Sequence, residues 1–245
     1  MAFESLQIVF STLILICAGA AAILGGMFVS KLFKKKSQGL NGIILFTFAF
    51  LAIGYICLAL GELTRYLIFS VFQQPPAVSM PDFYWVFGSI SLLIAYTTLA
   101  VHLHKNHGDS NKSILLLFLG AVVFGVLFFY FYSLDFFSGT DIGEKFLGYF
   151  YPTISSLVLI ASLNIYLFMD KISTFKAGLS FLVTANISTL LGDMLYNYYN
   201  FQDFAAQGIY GLVGMGADIF YVIGYSLYAI AFLALYLKLK ELHED

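Results

Sequence analysis

Charged residues are scarce in this sequence, and their scarcity limits the class of protein. Only 11% of the 245 residues are Asp, Glu, Lys or Arg, whereas 60% are hydrophobic. A water-soluble fold of this length cannot hide so much apolar surface in one core. We therefore expect an integral membrane protein. The net charge of −2 offers no basic surface for nucleic acid.

Cysteines are rare, and the usual catalytic motifs are missing. The two cysteines, Cys17 and Cys57, lie inside apolar stretches, which predicts neither a disulfide framework nor a thiolate metal site. The sequence contains no Walker loop, nucleophile elbow, His-Glu-x-x-His or glycine-rich nucleotide fingerprint. Residues 214–237 also lack a lysine for a retinal Schiff base. We expect a protein that is not an enzyme and that has no cofactor.

Long apolar runs are abundant. About 20 apolar residues cross a hydrocarbon core of about 30 Å as a helix. The runs are continuous, unlike the short alternating strands of a membrane β-barrel. The sequence predicts an all-α integral membrane protein, one transmembrane domain over residues 1–245. The seven expected transmembrane helices cover about residues 6–30, 41–69, 83–103, 113–133, 147–169, 177–199 and 214–237.

Basic residues predict the orientation. Of the twelve Lys and Arg residues, all but Arg65 and Lys145 fall on one side of the predicted bundle. Short connections rich in Lys and Arg stay cytoplasmic. We expect the N-terminus outside, the C-terminus cytoplasmic, and a multi-pass protein of the cytoplasmic membrane. Because no basic residue precedes the first apolar run, we expect that run to remain as an anchor.

The histidines lie on the cytoplasmic side of this arrangement. A transition metal or a solvated loop would both explain their grouping, and we favour the loop because cysteine and paired acids are missing there. With no histidine in the outer half, we expect neither haem nor a His-bound copper or zinc site there, and carboxylates alone would suit a hard cation such as Ca²⁺ only weakly. The four are His102, His104, His107 and His243.

A near-repeat divides the chain. The segment PDFYWVFGS at residues 81–89 returns as ADIFYVIGY at residues 217–225. An acid that follows glycine precedes each copy, Glu62 in one case and Asp193 in the other. This pattern predicts two repeats, residues 1–103 and 147–237, joined by helix 4 and related by an axis along the membrane normal.

Four acids lie toward the outer side of the predicted spans: Glu62, Asp82, Asp193 and Asp218. Ionisable groups within spans are costly and often mark functional sites, so we expect an outer-leaflet pocket for a small ligand, ion or lipid. Asp82 and Asp218 have a second interpretation as N-caps of helices 3 and 7. Asp193 lies near the C-terminal end of helix 6, where the helix dipole disfavours an acid, and it therefore needs a partner.

Nearby residues supply candidate partners. Arg65 lies one turn after Glu62 and is expected to pair with it. Asn186, Tyr196 and Asn197 are the local candidates for hydrogen bonds to Asp193.

Aromatic residues crowd the same outer side. An interfacial belt accounts for most of them, and a pocket wall is the alternative for those near the acids, with Tyr196 and Tyr221 assigned to the pocket. The full set is Tyr66, Tyr84, Trp85, Tyr149, Tyr151, Tyr196, Tyr198, Tyr199, Tyr210 and Tyr221.

Three segments resemble a known group of modules. Tyr151-Pro152 in helix 5, GDMLY at residues 192–196 and DIFYVIGY at residues 218–225 are similar to the seven-helix input modules that precede histidine kinase or diguanylate cyclase domains in prokaryotic sensors. The resemblance implies ligand sensing. In those modules an acid often stands three residues after the proline, where this chain has Ser155. Because no output domain follows helix 7, we expect signalling through a separate protein, or a chain that is a fragment.

The predicted order of three helices, a linker helix and three helices is also similar to that of SWEET-type transporters. Their Pro-Gln motif is missing, since Gln74-Pro75 lies in an outer loop. We expect Pro152 near the start of helix 5, where a missing amide is tolerated.

Three hypotheses follow. The first is a receptor-like protein with the outer pocket. The second is a transporter of a small polar or cationic solute, whose polar track would include Ser155, Ser156, Asn164 and Asn186. The third is an accessory subunit of a larger complex, docked through the small residues of helix 1, Ala18 to Ala22 with Gly25 and Gly26.

Overall fold

The computed structural model describes residues 2–35, 42–68, 79–107, 110–133, 142–168, 175–201 and 211–241. These residues form seven α-helices and no strand. The helices are α1 (Ala2–Lys35), α2 (Gly42–Tyr66), α3 (Met80–His107), α4 (Ser110–Ser133), α5 (Ile142–Leu167), α6 (Lys176–Phe201) and α7 (Leu212–Glu241).

All seven helices are long and apolar enough to cross a membrane. They coincide with the seven predicted runs, most of them extending those runs by a few residues, so the prediction of a helical multi-pass membrane protein is confirmed. The loop residues Gln73 to Pro76, together with Tyr210 and His243, lie outside the described residues.

Six helices pack in a closed order. Each of α1, α2, α3, α5, α6 and α7 contacts the next, and α7 contacts α1 again. The tightest pairs are α2 with α3 and α6 with α7, while α4 packs mainly against α5. Large apolar side chains of α4, such as Phe118, Phe128 and Phe129, are exposed. In a bilayer this surface would face lipid.

The two ends of the bundle differ in chemistry. We call the end that carries Glu62, Asp82, Asp193 and Asp218 the carboxylate end, and the opposite end the basic end. The basic end carries the lysines at the close of α1 and α7 and those flanking the α3–α4 and α5–α6 connections, among them Lys34, Lys105, Lys112, Lys176 and Lys238.

An aromatic core fills the bundle toward the basic end. It consists of Phe28, Phe48, Phe175 and Phe232, each almost fully buried. The ring centroids of Phe28 and Phe48 are 4.9 Å apart at 84°, and those of Phe48 and Phe175 are 5.6 Å apart at 65°. Such edge-to-face pairs are favoured by the ring quadrupoles. The core therefore joins α1, α2, α7 and the start of α6 through dense apolar packing.

Glycines allow the two tightest helix pairs to approach. A Cβ on Gly88 of α3 would lie 2.9 Å from the backbone oxygen of Gly54 in α2. A Cβ on Gly224 of α7 would lie 2.9 Å from the Thr189 side chain and 3.5 Å from the backbone oxygen of Ala185 in α6. Small residues permit this close packing between membrane helices.

Pro152 lies in the interior of α5, ten residues after its first residue Ile142, so the expectation that it stands near the helix start is wrong. Proline removes the hydrogen bond to the carbonyl four residues earlier, which belongs to Gly148. The Nδ2 of Asn197 in α6 donates to this carbonyl oxygen at 2.9 Å. A buried side chain thus replaces the missing backbone donor, which a membrane interior requires.

The small residues of α1 are used partly within the chain. Ala18, Ala21 and Gly25 are buried, and a Cβ on Gly25 would lie 3.2 Å from the ring of Phe232 in α7. Gly26 has no neighbour within 4 Å of such a Cβ. Docking of another protein through α1 stays a prediction, restricted to the outward-facing members of the set.

Candidate functional site

A cavity of about 100 Å³ lies toward the carboxylate end, between α2, α3, α5, α6 and α7. Six of the eight predicted site residues line it: Glu62, Arg65, Asn186, Asp193, Tyr196 and Tyr221. Asp82 and Asp218 do not belong to its lining. The cavity thus collects side chains that are far apart in the sequence.

On the α2 side, two acids share a guanidinium group. Arg65 Nη1 lies 3.7 Å from Glu62 Oε2, as the one-turn spacing predicts. Glu62 is buried and accepts a hydrogen bond at 3.1 Å from the hydroxyl of Tyr225. Asp218 is also buried, and its charge interacts with both Arg65 and Glu62.

Asp218 does not cap α7. The helix begins at Leu212, so Asp218 stands in its second turn, and the N-cap interpretation is wrong for this residue. The expectation was based on the apolar run starting just before Asp218, but the glycine-containing stretch ahead of it is helical as well. Arg65 on α2 supplies the compensating charge that a helix end would have supplied.

Asp82 stands in the first turn of α3, so it is not the N-cap that was predicted, but it does stabilise the helix start. Its Oδ2 accepts from the backbone N–H of Ser79 at 2.9 Å, while its own N–H donates to the Ser79 carbonyl. Asp82 therefore takes the position of the acid in a capping box, three residues after the cap. Its Oδ1 accepts from the Tyr151 hydroxyl at 2.9 Å, which ties α5 to α3.

Asp193 is held by hydroxyl groups from two neighbouring helices. The Tyr221 hydroxyl of α7 donates to Oδ1 at 2.7 Å, and the Ser155 hydroxyl of α5 donates to Oδ2. The expectation that Asn186 or Asn197 would bond to it is wrong: Asn186 accepts from Tyr228, and Asn197 bonds to the α5 backbone. Among the described residues, the hydrogen-bond partners of Asp193 are neutral.

The cavity walls are aromatic. Trp85 and Tyr151 meet edge to face at 6.3 Å, and the ring of Tyr196 lies 5.8 Å from the guanidinium carbon of Arg65. Four members of the predicted belt, Trp85, Tyr151, Tyr196 and Tyr221, line the cavity. Glycines make room for two of them, because a Cβ on Gly61 would overlap the indole of Trp85, and one on Gly192 would lie 3.0 Å from Tyr221.

Asn186 in the lining is almost fully buried, at 2% exposure. Its Oδ1 accepts from the Tyr228 hydroxyl at 2.7 Å, and Tyr228 in turn lies 3.1 Å from the Thr189 hydroxyl. In the described part of the chain, no acceptor meets the Nδ2 of Asn186 or the indole Nε1 of Trp85 with good hydrogen-bond geometry, although Tyr96 is a polar neighbour of Asn186 and Glu62 is one of Trp85. A buried donor without an acceptor is costly.

Below Asn186, toward the basic end, buried aromatic residues follow, and the hydroxyls of Tyr55 and Tyr96 lie 3.3 Å apart. The Tyr55 ring lies 4.4 Å from Tyr228 on the cavity side and 5.3 Å from Phe232 of the aromatic core. Not all of the residues predicted to form a polar track line the cavity. Ser155 lines the cavity, whereas Ser156 and Asn164 lie outside the lining and have buried oxygens without partners among the described residues.

Sequence reasoning missed part of the site. Tyr225, Tyr228, Trp85 and Thr189 line the cavity but were not among the predicted site residues. One available indication was the spacing of Tyr221, Tyr225 and Tyr228, which places three phenols on one face of a helix. No group of three or more His, Cys, Asp or Glu in the described residues is arranged to hold a metal ion.

Comparison of the chain with protein-family models, with curated proteins and with solved structures finds no match.

Proposed function

We propose that this chain is a non-enzymatic, receptor-like seven-helix membrane protein that binds a small ligand in the cavity at its carboxylate end. The observation that carries the proposal is the environment of Asp193. This carboxylate lines a cavity with aromatic walls and is met by two neutral hydroxyls, from Ser155 and Tyr221. An acid in a membrane span is expensive unless it has a role or a charged partner.

Helix α7 is the element that would report binding. Its Tyr221 donates to Asp193 on α6, while its Tyr225 donates to Glu62 on α2. A ligand that bonds to either carboxylate competes with these phenols. Binding would therefore change how α7 packs against α2 and α6, and α7 continues to Lys238 and Lys240 at the basic end.

The carboxylate end is proposed to face outward, because the lysines gather at the other end and such residues are retained in the cytoplasm. The protein would then meet its ligand outside and present its basic end to a cytoplasmic partner.

We further propose that the bundle is a duplication of residues 1–103 and 147–237, joined by α4. Supporting contacts occur in pairs. The α2–α3 contact has a counterpart in α6–α7, and the α1–α7 contact has one in α5–α3. In each tight pair, the glycine before an acid faces the aromatic residue three positions after an aspartate, Gly61 with Trp85 and Gly192 with Tyr221. Sites at repeat interfaces are common in such proteins.

The test is charge removal at Asp193. We expect Asp193→Asn to abolish a reproducible bound mass that native mass spectrometry detects on the protein extracted gently from its membrane. Glu144→Gln is the matched control, because Glu144 is an exposed acid in the first turn of α5. Retention of the same bound mass by a folded Asp193→Asn protein would contradict the proposal, as would a wild-type protein that carries no such mass.

A transporter is the second candidate, and the position of the cavity favours it. The cavity lies between the two helix triplets, and Tyr55 and the aromatic core pack beyond it toward the basic end. Alternating access requires one closed side and a site between repeats. Solute uptake into proteoliposomes that Asp193→Asn eliminates would support transport. Binding without uptake would favour the receptor.

A further inference from the structure

We infer that the cavity binds a small organic ammonium ion that also carries a hydrogen-bond acceptor. This inference rests on the proposed function, since it names the class of ligand for the same site. Four independent features of the lining lead to it: the distribution of charge, the aromatic walls, two unsatisfied donors and the cavity volume.

The charges around the cavity favour a cation. Glu62 and Asp218 share the guanidinium group of Arg65. Asp193 instead accepts hydrogen bonds at both carboxylate oxygens, as an ionised carboxylate does, and its donors are uncharged. Buried charges in proteins are normally paired. A ligand with one positive charge would give Asp193 a charged partner, whereas an anion would add a further negative charge.

The walls favour an organic cation over a bare metal ion. Trp85, Tyr151, Tyr196 and Tyr221 line the cavity, and an alkylated ammonium group gains from contact with aromatic rings and apolar surface. Tyr196 already holds one cation near its ring, at 5.8 Å from Arg65 Cζ. Hard metal ions prefer a shell of oxygen ligands, which these rings do not supply.

The incompletely satisfied donors favour an acceptor on the ligand. Asn186 Nδ2 and Trp85 Nε1 are buried, and neither makes a hydrogen bond of good geometry in the described part of the protein, where Tyr96 and Glu62 are polar neighbours of the two groups. A bare cation would be repelled by these N–H groups. A hydroxyl, ether or carbonyl oxygen on the ligand satisfies one of them directly or through a water molecule. A purely alkyl ammonium ion leaves both unsatisfied.

The volume favours a small molecule. A cavity of about 100 Å³ is smaller than a typical drug-binding pocket of several hundred Å³. Amino alcohols of the size of choline and ethanolamine combine the charge, the acceptor and this size. We therefore choose them as probes.

The experiment measures thermal unfolding and equilibrium binding of the full chain in lipid nanodiscs. We expect choline or ethanolamine to raise the unfolding midpoint in a saturable manner. The neutral choline analogue 3,3-dimethylbutan-1-ol should not. Asp193→Asn should weaken binding of the effective probe about 30-fold or more, as expected when one partner of a buried charge pair is removed. Glu144→Gln should leave it unchanged.

A second variant tests the acceptor. The wild-type protein should prefer choline to tetramethylammonium, which has the charge but no oxygen. Asn186→Leu should reduce this preference while tetramethylammonium still binds. Equal binding of the two cations to the wild-type protein would overturn the role assigned to the donors.

Other outcomes separate this inference from the proposed function. The ammonium class is overturned if the neutral analogue stabilises as well as choline, if Asp193→Asn keeps the affinity, or if neither ammonium probe stabilises. In any of these cases, a neutral or acidic molecule that co-purifies with the wild-type protein and is lost in Asp193→Asn would preserve the receptor proposal. The lack of any such molecule would overturn both.

Discussion

The helix pairs α2–α3 and α6–α7 share a glycine–aromatic packing contact, but the acids beside that contact have different partners. In both, a glycine before the acid faces an aromatic ring, Gly61 with Trp85 and Gly192 with Tyr221. In α2, however, the residue three positions after the acid is Arg65, which neutralises Glu62. In α6, the corresponding residue after Asp193 is Tyr196. The comparison teaches that similar backbone geometry can hold one acid in an ion pair and the other through neutral hydroxyl groups alone.

The largest expected effect comes from removing the shared cation. Arg65→Met leaves Glu62 and Asp218 buried without compensation, and we expect it to lower the free energy of unfolding by about 3 to 5 kcal/mol. Lys238→Met is the matched control, because it breaks an exposed ion pair with Glu241 at 2.8 Å. This control should cost less than about 1 kcal/mol. Unfolding in mixed detergent measures both, and equal losses would show that Arg65 does not compensate the two acids.

A smaller difference is expected between two tyrosines of α7. Tyr221→Phe removes one of the two hydroxyl donors to Asp193, and we expect a loss of about 1.5 to 3 kcal/mol for a hydrogen bond to a charged group. Tyr225→Phe should cost about 0.5 to 1.5 kcal/mol, since Glu62 keeps Arg65 as its partner. The same unfolding assay measures which of the two substitutions causes the larger loss of stability. A larger loss for Tyr225→Phe would mean that the α2 acid depends on its phenol more than on its cation.

The smallest difference is expected between the glycines that bring each pair together. Gly88→Ala places a Cβ against the backbone of Gly54, which cannot rotate away, and should cost about 2 kcal/mol. Gly224→Ala meets the Thr189 side chain at 2.9 Å and a backbone oxygen only at 3.5 Å, and should cost about 1 kcal/mol. Gly26→Ala is the control, because its Cβ would meet nothing within 4 Å. Equal losses for Gly88→Ala and Gly224→Ala would show that the two helix pairs tolerate an added methyl group equally well.

Much of the fold was predictable because hydrophobic length is a local property. Each of the seven runs is long enough to cross a bilayer by itself, so no knowledge of neighbouring segments was needed to find the helices. The ion pair of Glu62 with Arg65 was predictable for the same reason, since one turn of a helix separates them. Helix boundaries were less accurate, and the interpretation of Pro152 and Asp218 failed where the helices proved longer than the apolar runs.

Partners from other helices were not predictable in the same way. The hydroxyls of Ser155 in α5 and Tyr221 in α7 donate hydrogen bonds to Asp193. Asn197 in α6 donates to the backbone carbonyl that Pro152 leaves without a donor. The spacing of residues along one helix does not predict which side chains of a neighbouring helix will contact it. The search for local partners around Asp193 therefore chose residues that bond elsewhere.

The sequence by itself determined that this protein is a bundle of seven membrane-spanning helices with its acids toward one end and its lysines toward the other, because apolar length and charge position act within single segments. Only the tertiary structure decided which acid shares Arg65, which acid is met by phenol and serine hydroxyls, and which aromatic rings enclose the cavity. These outcomes depend on how six helices approach one another, and that approach is governed by glycine contacts and side-chain packing between segments distant in the sequence.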